Sequence, residues 1–110
     1  MKVLLDENLP QDLRYFLPEH QVSTVGSLHW HISNDGRLLE RAATFGFDVF
    51  VTHDPGQLRL AGGNGSPPAA VSVIALRAPT NTMDDVRPLV VPLLEALNAF
   101  RPNTVMAIPE

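Results

Sequence analysis

The chain has 110 residues, of which 45% are hydrophobic and 18% are charged, and its formal net charge is −4. This composition predicts one globular domain over residues 1–110 and argues against a disordered tail or a chain of several domains. Surface-scaling relations give a chain of this size roughly 17,000 Å² of surface unfolded and about 6,000 Å² folded, enough burial to fold alone.

The sequence contains no cysteine, which excludes disulfides, thiolate nucleophiles and cysteine-ligated zinc. Asp6 and Glu7 interrupt the first apolar run too early for a signal peptide, and no run approaches the ~18 apolar residues of a membrane span. We therefore expect a cytoplasmic protein without a membrane partner. The net charge argues against a protein that coats nucleic acid, although seven of the eight basic residues are arginines, which suit phosphate contacts.

The first two predicted elements are a strand and a helix. Residues 3–5 form an apolar run that ends in the polar cluster of Asp6, Glu7 and Asn8. Asn8 is a candidate helix cap, and Pro10 suits a first helical turn. Four apolar residues then repeat at helical spacing: Leu9, Leu13, Phe16 and Leu17.

The middle of the chain predicts a second strand at 22–25, a loop at 26–34, and a helix that begins at Asp35 and ends near Gly46. The inward face of that helix carries Leu38, Leu39, Ala42 and Ala43. A third strand at 48–52 leads into a turn at 53–56.

The last part of the chain begins with a Gly- and Pro-rich stretch at 62–68, which predicts a mobile surface loop. A strongly apolar strand at 71–76 follows, then a helical pattern over 84–100 and a final strand at 104–108. Because proline disrupts a helix interior, Pro88 and Pro92 predict a bend or two shorter helices. The alternation of strands and helices predicts a three-layer α/β/α domain with a mainly parallel sheet.

Three aspartates meet at one edge of that predicted sheet. Asp6 follows the first strand, Asp54 follows the third, and Asp35 begins the helix between the second and third. Ligand sites of parallel α/β sheets lie beyond the carboxyl ends of the strands. Asp35 shares the helical stripe of the inward residues, whereas Glu40 is rotated away and is expected to be solvated.

Carboxylates gathered at one edge repel one another unless a cation neutralises them. Mg²⁺ and Mn²⁺ take oxygen ligands and are usually held by one or two carboxylates together with water and phosphate. Such an ion polarises a phosphodiester and generates or orients an attacking water. The residues therefore indicate hydrolysis of a phosphodiester.

Three sequence blocks carry a family resemblance: KVLLDENLP, SND-x-x-LLERA and FVTHD. In this order they resemble the bacterial PIN-like proteins related to VapC-type toxins, and the strand at 71–77 resembles the family's fourth block. The likeness covers almost the whole chain. It implies a PIN-like metal-dependent endoribonuclease that cleaves RNA with Mg²⁺ or Mn²⁺ as cofactor. It also implies the toxin component of a toxin–antitoxin pair, with an antitoxin protein as partner and a second copy of the chain as the partner in a homodimer.

Carried over by position, the family's catalytic and metal-binding acids fall on Asp6, Asp35 and Asp54. The resemblance assigns supporting roles to Glu7, Asn8 and Thr52. Candidate RNA-binding residues are Arg37, Arg41 and Arg77.

The chain departs from the family pattern at two positions. Where the family commonly has T-x-D-x-D-F, this chain has Gly56 in place of the second acid, and Arg37 occupies a position that is acidic in many relatives. The departure leaves open a second interpretation, a PIN-like binding or regulatory module whose catalysis is impaired.

Structural interpretations compete with each functional one. Asp6 and Asp35 are also typical helix caps or dipole partners, and Asp54 before a Pro-Gly pair is typical of a turn. The His29-Trp30-His31 triplet is more typical of a solvated or packed loop than of a metal site, and a lone tryptophan more often anchors a loop than stacks on a base.

Two further interpretations concern His53 and the fold class. We expect the His53 side chain to point away from Asp54, and it is not assigned to catalysis. A receiver-like phosphoacceptor domain shares the acids after its first and third strands, but it requires a lysine late in the chain. Lys2 is the sole lysine here and lies at the opposite end.

Overall fold

The computed structural model describes residues 1–30, 35–53, 71–100 and 104–109, and for residues 35–37 the backbone alone. Within these ranges the chain forms five strands: β1 Lys2–Leu5, β2 Gln21–Thr24, β3 Val49–Thr52, β4 Ser72–Leu76 and β5 Val105–Ile108. The α-helices are α1 Asp35–Thr44, α2 Met83–Val86 and α3 Val90–Asn98, and 3₁₀ helices span Gln11–Phe16 and Arg87–Leu89. The accessible surface is 6230 Å², close to the expected value.

The five strands form one sheet in the order β2-β1-β3-β4-β5, and every neighbouring pair is parallel. The predicted α/β class with a parallel sheet is therefore confirmed. β2 lies on one side of β1, and β3, β4 and β5 lie on the other side. The direction in which successive strands are added therefore reverses between β1 and β3. In doubly wound sheets this reversal opens a crevice at the carboxyl ends of the two strands.

Alternate strand residues divide the core into two layers. The face that we call the α3 face packs against α2, α3 and the 3₁₀ helix Gln11–Phe16, and its strand residues include Val3, Leu5, Val49, Val51, Ile74 and Leu76. The opposite face, the α1 face, packs against α1 through residues that include Leu4, Phe50, Val73, Leu38, Leu39 and Ala42. Strand residues are buried on both faces, as expected for a sheet covered by helices on both sides.

The predicted helix after β1 is a 3₁₀ helix, and the assignment of Asn8 as its cap is wrong. Pro10 occupies the capping position in an extended conformation, with no side-chain cap. Pro18 disfavours helical backbone at Leu17, whose φ of −124° and ψ of 54° lie outside the helical region. Two prolines thus bracket a segment too short for a stable α-helix, although Leu13 and Leu17 are fully buried as their spacing predicts.

The predicted interruption of the last helix is confirmed. Pro88 lies in the 3₁₀ helix Arg87–Leu89 that separates α2 from α3. Pro92 is the third residue of α3, where a backbone N–H has no acceptor within the helix. The first proline therefore divides the helix, and the second is accommodated inside it.

Helix α1 ends as its sequence predicts. Gly46 has a φ of +82°, the left-handed conformation that suits glycine. Its N–H donates to the Ala43 carbonyl at 3.0 Å, and the Phe47 N–H donates to the Ala42 carbonyl at 3.0 Å. These two bonds form a Schellman motif, which directs the chain from α1 into β3.

Positions 54–56 of the turn predicted at 53–56, the whole loop predicted at 62–68, and positions 31–34 of the loop predicted at 26–34 lie outside the described residues. None of the helices in the described ranges is both long enough and apolar enough to cross a bilayer.

Candidate functional site

Asp6 lies at the point where the strand order reverses. It directly follows β1, whose last residue Leu5 is in register with Val51 of β3. The Asp6 N–H donates to the Val51 carbonyl at 2.9 Å, so the strand pairing continues one residue beyond β1. This register places Asp6 beside Thr52, the last residue of β3.

Among the described residues, two donors from different parts of the chain bind the carboxylate of Asp6. Its Oδ1 accepts a hydrogen bond from the Glu7 backbone N–H at 2.8 Å, and its Oδ2 accepts one from the Thr52 hydroxyl at 2.6 Å. The shorter distance is typical of a hydroxyl that donates to an ionised carboxylate. Asp6 is 8% exposed and Thr52 is fully buried, so packing and hydrogen bonds together orient the carboxylate.

Asn8 connects the two strand ends rather than capping a helix. Its Oδ1 accepts a hydrogen bond from the His53 backbone N–H at 3.2 Å, and its Nδ2 lies 3.5 Å from the Thr52 hydroxyl. The segment between β1 and the 3₁₀ helix therefore folds over the end of β3. Because these partners are more than forty positions apart in sequence, no local pattern predicts this role of Asn8.

The His53 ring forms a hydrogen bond on the α3 face of the sheet. Its Nε2 lies 3.0 Å from the Ala78 carbonyl, and because a carbonyl oxygen only accepts, Nε2 is the donor. Ala78 packs against the core of the α3 face. The ring thus connects the end of β3 to the segment that follows β4. Because successive strand residues point to opposite faces, Thr52 lies on the α1 face and His53 on the α3 face.

Of the three predicted acids, the structure describes the side chain of Asp6 alone. Asp35 is the first residue of α1, but its side chain is not among the described groups, and Asp54 lies outside the described residues. Within the described ranges, no group of three His, Cys, Asp or Glu side chains is gathered in a way that could hold a metal ion. The helical stripe predicted for Asp35 is present: Leu39 and Ala42 are buried, and Glu40 is exposed.

The structure describes the side chains of two of the three candidate RNA-binding arginines. Arg41 is exposed, and its guanidinium carbon lies 5.2 Å from the centre of the Trp30 ring. Arg77 is exposed directly after β4. The side chain of Arg37 is outside the described groups.

Trp30 is a packing residue, as the lone-tryptophan interpretation predicts. It is 7% exposed and meets the rings of Phe45 and Phe47 edge-on, at centroid distances of 5.1 and 6.0 Å. The Arg41 guanidinium lies over the same ring, so these three neighbours leave Trp30 little exposed surface. His29 beside it is exposed, and His31 lies outside the described residues.

The receiver-like interpretation requires a lysine beside the acid that follows β1, and Lys2 does not lie there. Its Nζ donates to the Phe45 carbonyl at 2.5 Å and lies 4.5 Å from the centre of the Phe47 ring. Lys2 begins β1 and Asp6 follows its end, so the rise of a strand separates the two backbones by about 13 Å. The lysine binds the end of α1 at the opposite edge of the sheet and cannot neutralise a group on Asp6.

No protein-family model, curated protein or solved structure matches this chain. The assignment to a class therefore depends on the site itself and on the sequence blocks described above.

Proposed function

We propose that this chain is a PIN-like, Mg²⁺- or Mn²⁺-dependent endoribonuclease. The observation that carries the proposal is the Asp6 carboxylate, oriented by Thr52 and by the Glu7 backbone at the reversal point of a parallel sheet. Ligand sites of such sheets occupy this crevice. A carboxylate fixed in place before its ligand arrives loses less conformational entropy when it binds.

The donor set suits a hard divalent cation. Asp6 supplies an ionisable carboxylate, and each of its oxygens has more than one acceptor position, so a hydrogen bond to Glu7 or Thr52 does not block coordination. In the proposed site Asp35 and Asp54 complete the set of acids. When bound, the ion polarises the phosphodiester and activates water. Thr52 and the Glu7 backbone hold the Asp6 carboxylate at the end of β1, beside the crevice.

The nature of the substrate and partners rests on the family resemblance. We propose RNA as the substrate, with Arg37, Arg41 and Arg77 as candidate contacts to the phosphate backbone. The same resemblance supports a cytoplasmic toxin that is neutralised by an antitoxin protein and that forms homodimers.

The substitution at Gly56 favours a second candidate function. If the second acid of the T-x-D-x-D pattern contributes to metal binding, a chain with glycine there holds the ion more weakly. Such a protein is a PIN-like binding or regulatory module that has lost turnover. The two candidates share the fold and differ in catalysis.

A metal-titrated cleavage assay on mixed single-stranded RNA tests the proposal. We expect cleavage that depends on Mg²⁺ or Mn²⁺, is abolished by Asp6→Asn, and is unchanged by Glu40→Gln, which removes an exposed acid of α1 outside the site. Circular dichroism and thermal unfolding verify that the Asp6→Asn protein is folded. Equal cleavage by Asp6→Asn and the parent would overturn the role of Asp6.

Manganese binding, measured by calorimetry and electron paramagnetic resonance, separates the two candidates. Binding together with cleavage supports the nuclease. Binding that Asp6→Asn weakens, with no cleavage of any RNA in the mixture, supports the impaired module. Absence of both overturns the metal site.

A further inference from the structure

The edge of the sheet formed by β5 exposes backbone groups that can pair with another strand. Within the described part of the chain, β4 is the sole strand paired with β5. The carbonyls of Thr104 and Ile108 accept from Val73 and Arg77, so they point toward β4. Because successive residues of a strand point their backbone groups in opposite directions, those of Val105 and Ala107 point away from the sheet.

The sequence of β5 lacks the charged residues and prolines that often protect a sheet edge. Its residues, VMAI, include no charge, proline or glycine, and the first three are half-buried. Natural edge strands are commonly protected by lysines, prolines or bulges, because an apolar edge is a template for strand addition. The edge at β5 is therefore suited to binding an extended segment.

Two adjoining cavities flank this edge on the α3 face, and both border Ala96 and Met106. One, of about 250 Å³, extends to Ile74 and Phe100, and the other, of about 330 Å³, lies between Pro92 and Pro109. Apart from Glu95, the described residues around the second cavity are uncharged and mostly apolar. The cavities share no residue with the Asp6 site.

We propose that this edge binds an extended apolar segment of a partner protein as an added strand, with a basic side chain of that segment facing Glu95. Residues i and i+2 of a strand point to the same side and lie about 6.8 Å apart. Along β5 the first cavity borders positions 104 and 106, and the second borders 106–109. Alternate side chains of an added strand would therefore face the two cavities in turn.

The charge at the edge selects a basic partner over a second copy of the chain. Glu95 is exposed and forms no ion pair with another described residue. If two β5 strands paired about a two-fold axis, each copy would add its own Glu95 beside the same short segment. Like charges near one contact disfavour it, whereas a lysine or arginine on the added strand is attracted.

Amide hydrogen exchange on the whole chain, followed by NMR, tests the strand addition. The probe is a synthetic peptide in which two valines and one lysine occupy alternate positions and threonines fill the others. Without peptide, we expect the amides of Val105 and Ala107 to exchange quickly and those of Met106 and Ile108 to be protected. With millimolar peptide, Val105 and Ala107 should also become protected, and unchanged exchange there would overturn the proposal.

A matched pair of substitutions tests the backbone contact. Ala107→Pro removes an outward N–H while leaving the groups that face β4, a replacement that edge strands tolerate. We expect it to weaken peptide binding at least tenfold, whereas Ala107→Ser should bind within about twofold of the parent. If Ala107→Pro does not fold, the exchange measurement on the parent chain still decides the question.

Glu95→Gln tests the proposed contact between Glu95 and the lysine of the peptide. Sedimentation tests whether a second copy of the chain occupies the edge instead. We expect about two- to fivefold weaker binding of the lysine peptide and no change for a peptide with norleucine in place of lysine. Equal losses for both peptides would contradict the charge contact. If Val105 and Ala107 are protected without peptide in a sedimenting dimer that Ala107→Pro dissociates, the occupant is a second copy and the partner proposal is wrong.

Discussion

The hydroxyl of Thr52 donates to the carboxylate of Asp6 across 2.6 Å and so joins the ends of two parallel strands whose contact residues are 46 positions apart. Thr52 has no exposed surface, and Asp6 has 8%. The pair thus combines a charge-assisted hydrogen bond with nearly complete burial, a combination in which loss of one partner is costly.

Thr52→Val is expected to lower the free energy of unfolding by about 1.5–3 kcal/mol, because it keeps the shape of the side chain and removes the donor to Asp6. Thr52→Ser retains the hydroxyl and removes one buried methyl, so it should cost about 1 kcal/mol. Urea denaturation measures both. A smaller loss of unfolding free energy for Thr52→Val than for Thr52→Ser would show that packing, not the hydrogen bond, governs this position.

Asn8→Ala is expected to cost about 1 kcal/mol, chiefly through the lost acceptor for the His53 N–H. The distance of 3.5 Å from Asn8 Nδ2 to the Thr52 hydroxyl is at the limit of hydrogen bonding. A double-mutant cycle of Asn8→Ala with Thr52→Val should therefore give a coupling below about 0.5 kcal/mol. A coupling well above that value would assign Asn8 a direct part in orienting Thr52.

Gly46→Ala is expected to cost about 1–2 kcal/mol, because alanine is strained at a φ of +82° even though its Cβ would meet no atom within 4 Å. Gly26 is the matched control. Its added Cβ would meet Gln11 Nε2 at an ordinary 3.8 Å, so Gly26→Ala should be neutral or stabilise by up to about 1 kcal/mol. Equal effects of the two substitutions in urea denaturation would contradict the conformational explanation.

Trp30→Ala is expected to cost about 3–5 kcal/mol, because it empties a buried position between Phe45 and Phe47. Phe45→Ala should cost less, since that ring is 53% exposed. Thermal unfolding followed by circular dichroism compares the two variants. Fluorescence is unsuitable because Trp30→Ala removes the single tryptophan of the chain. Similar losses would show that Phe45 contributes as a core residue.

Gly56→Asp tests the family comparison directly. If the second acid of the T-x-D-x-D pattern binds metal, restoring it should raise the affinity for Mn²⁺ by about tenfold. Gly56→Asn adds a side chain without a charge and serves as the control. Calorimetric titration measures both, and equal affinities of the Asp variant and the parent would remove position 56 from the proposed site.

The sequence by itself was sufficient for most of the secondary structure. Apolar runs at residues 3–5 and 71–76 correspond to β1 and β4, and the stripe that includes Leu39 and Ala42 corresponds to α1. Pro88 and Gly46 marked a helix interruption and a helix end, because each residue restricts or permits particular backbone angles. These features are local, so a short stretch of chain contains the information that determines them.

Only the tertiary structure decided which strand ends meet and what Asn8 does. The reversal of strand order between β1 and β3, the contact of Thr52 with Asp6 and the bond from His53 to Asn8 join residues far apart in sequence. The capping assignment of Asn8 was wrong for this reason: a polar residue before a short helix has a local interpretation, but here the end of a neighbouring strand supplies its partners. Hydrophobic spacing determines which residues are buried, whereas the packing of strands determines which polar groups lie within bonding distance.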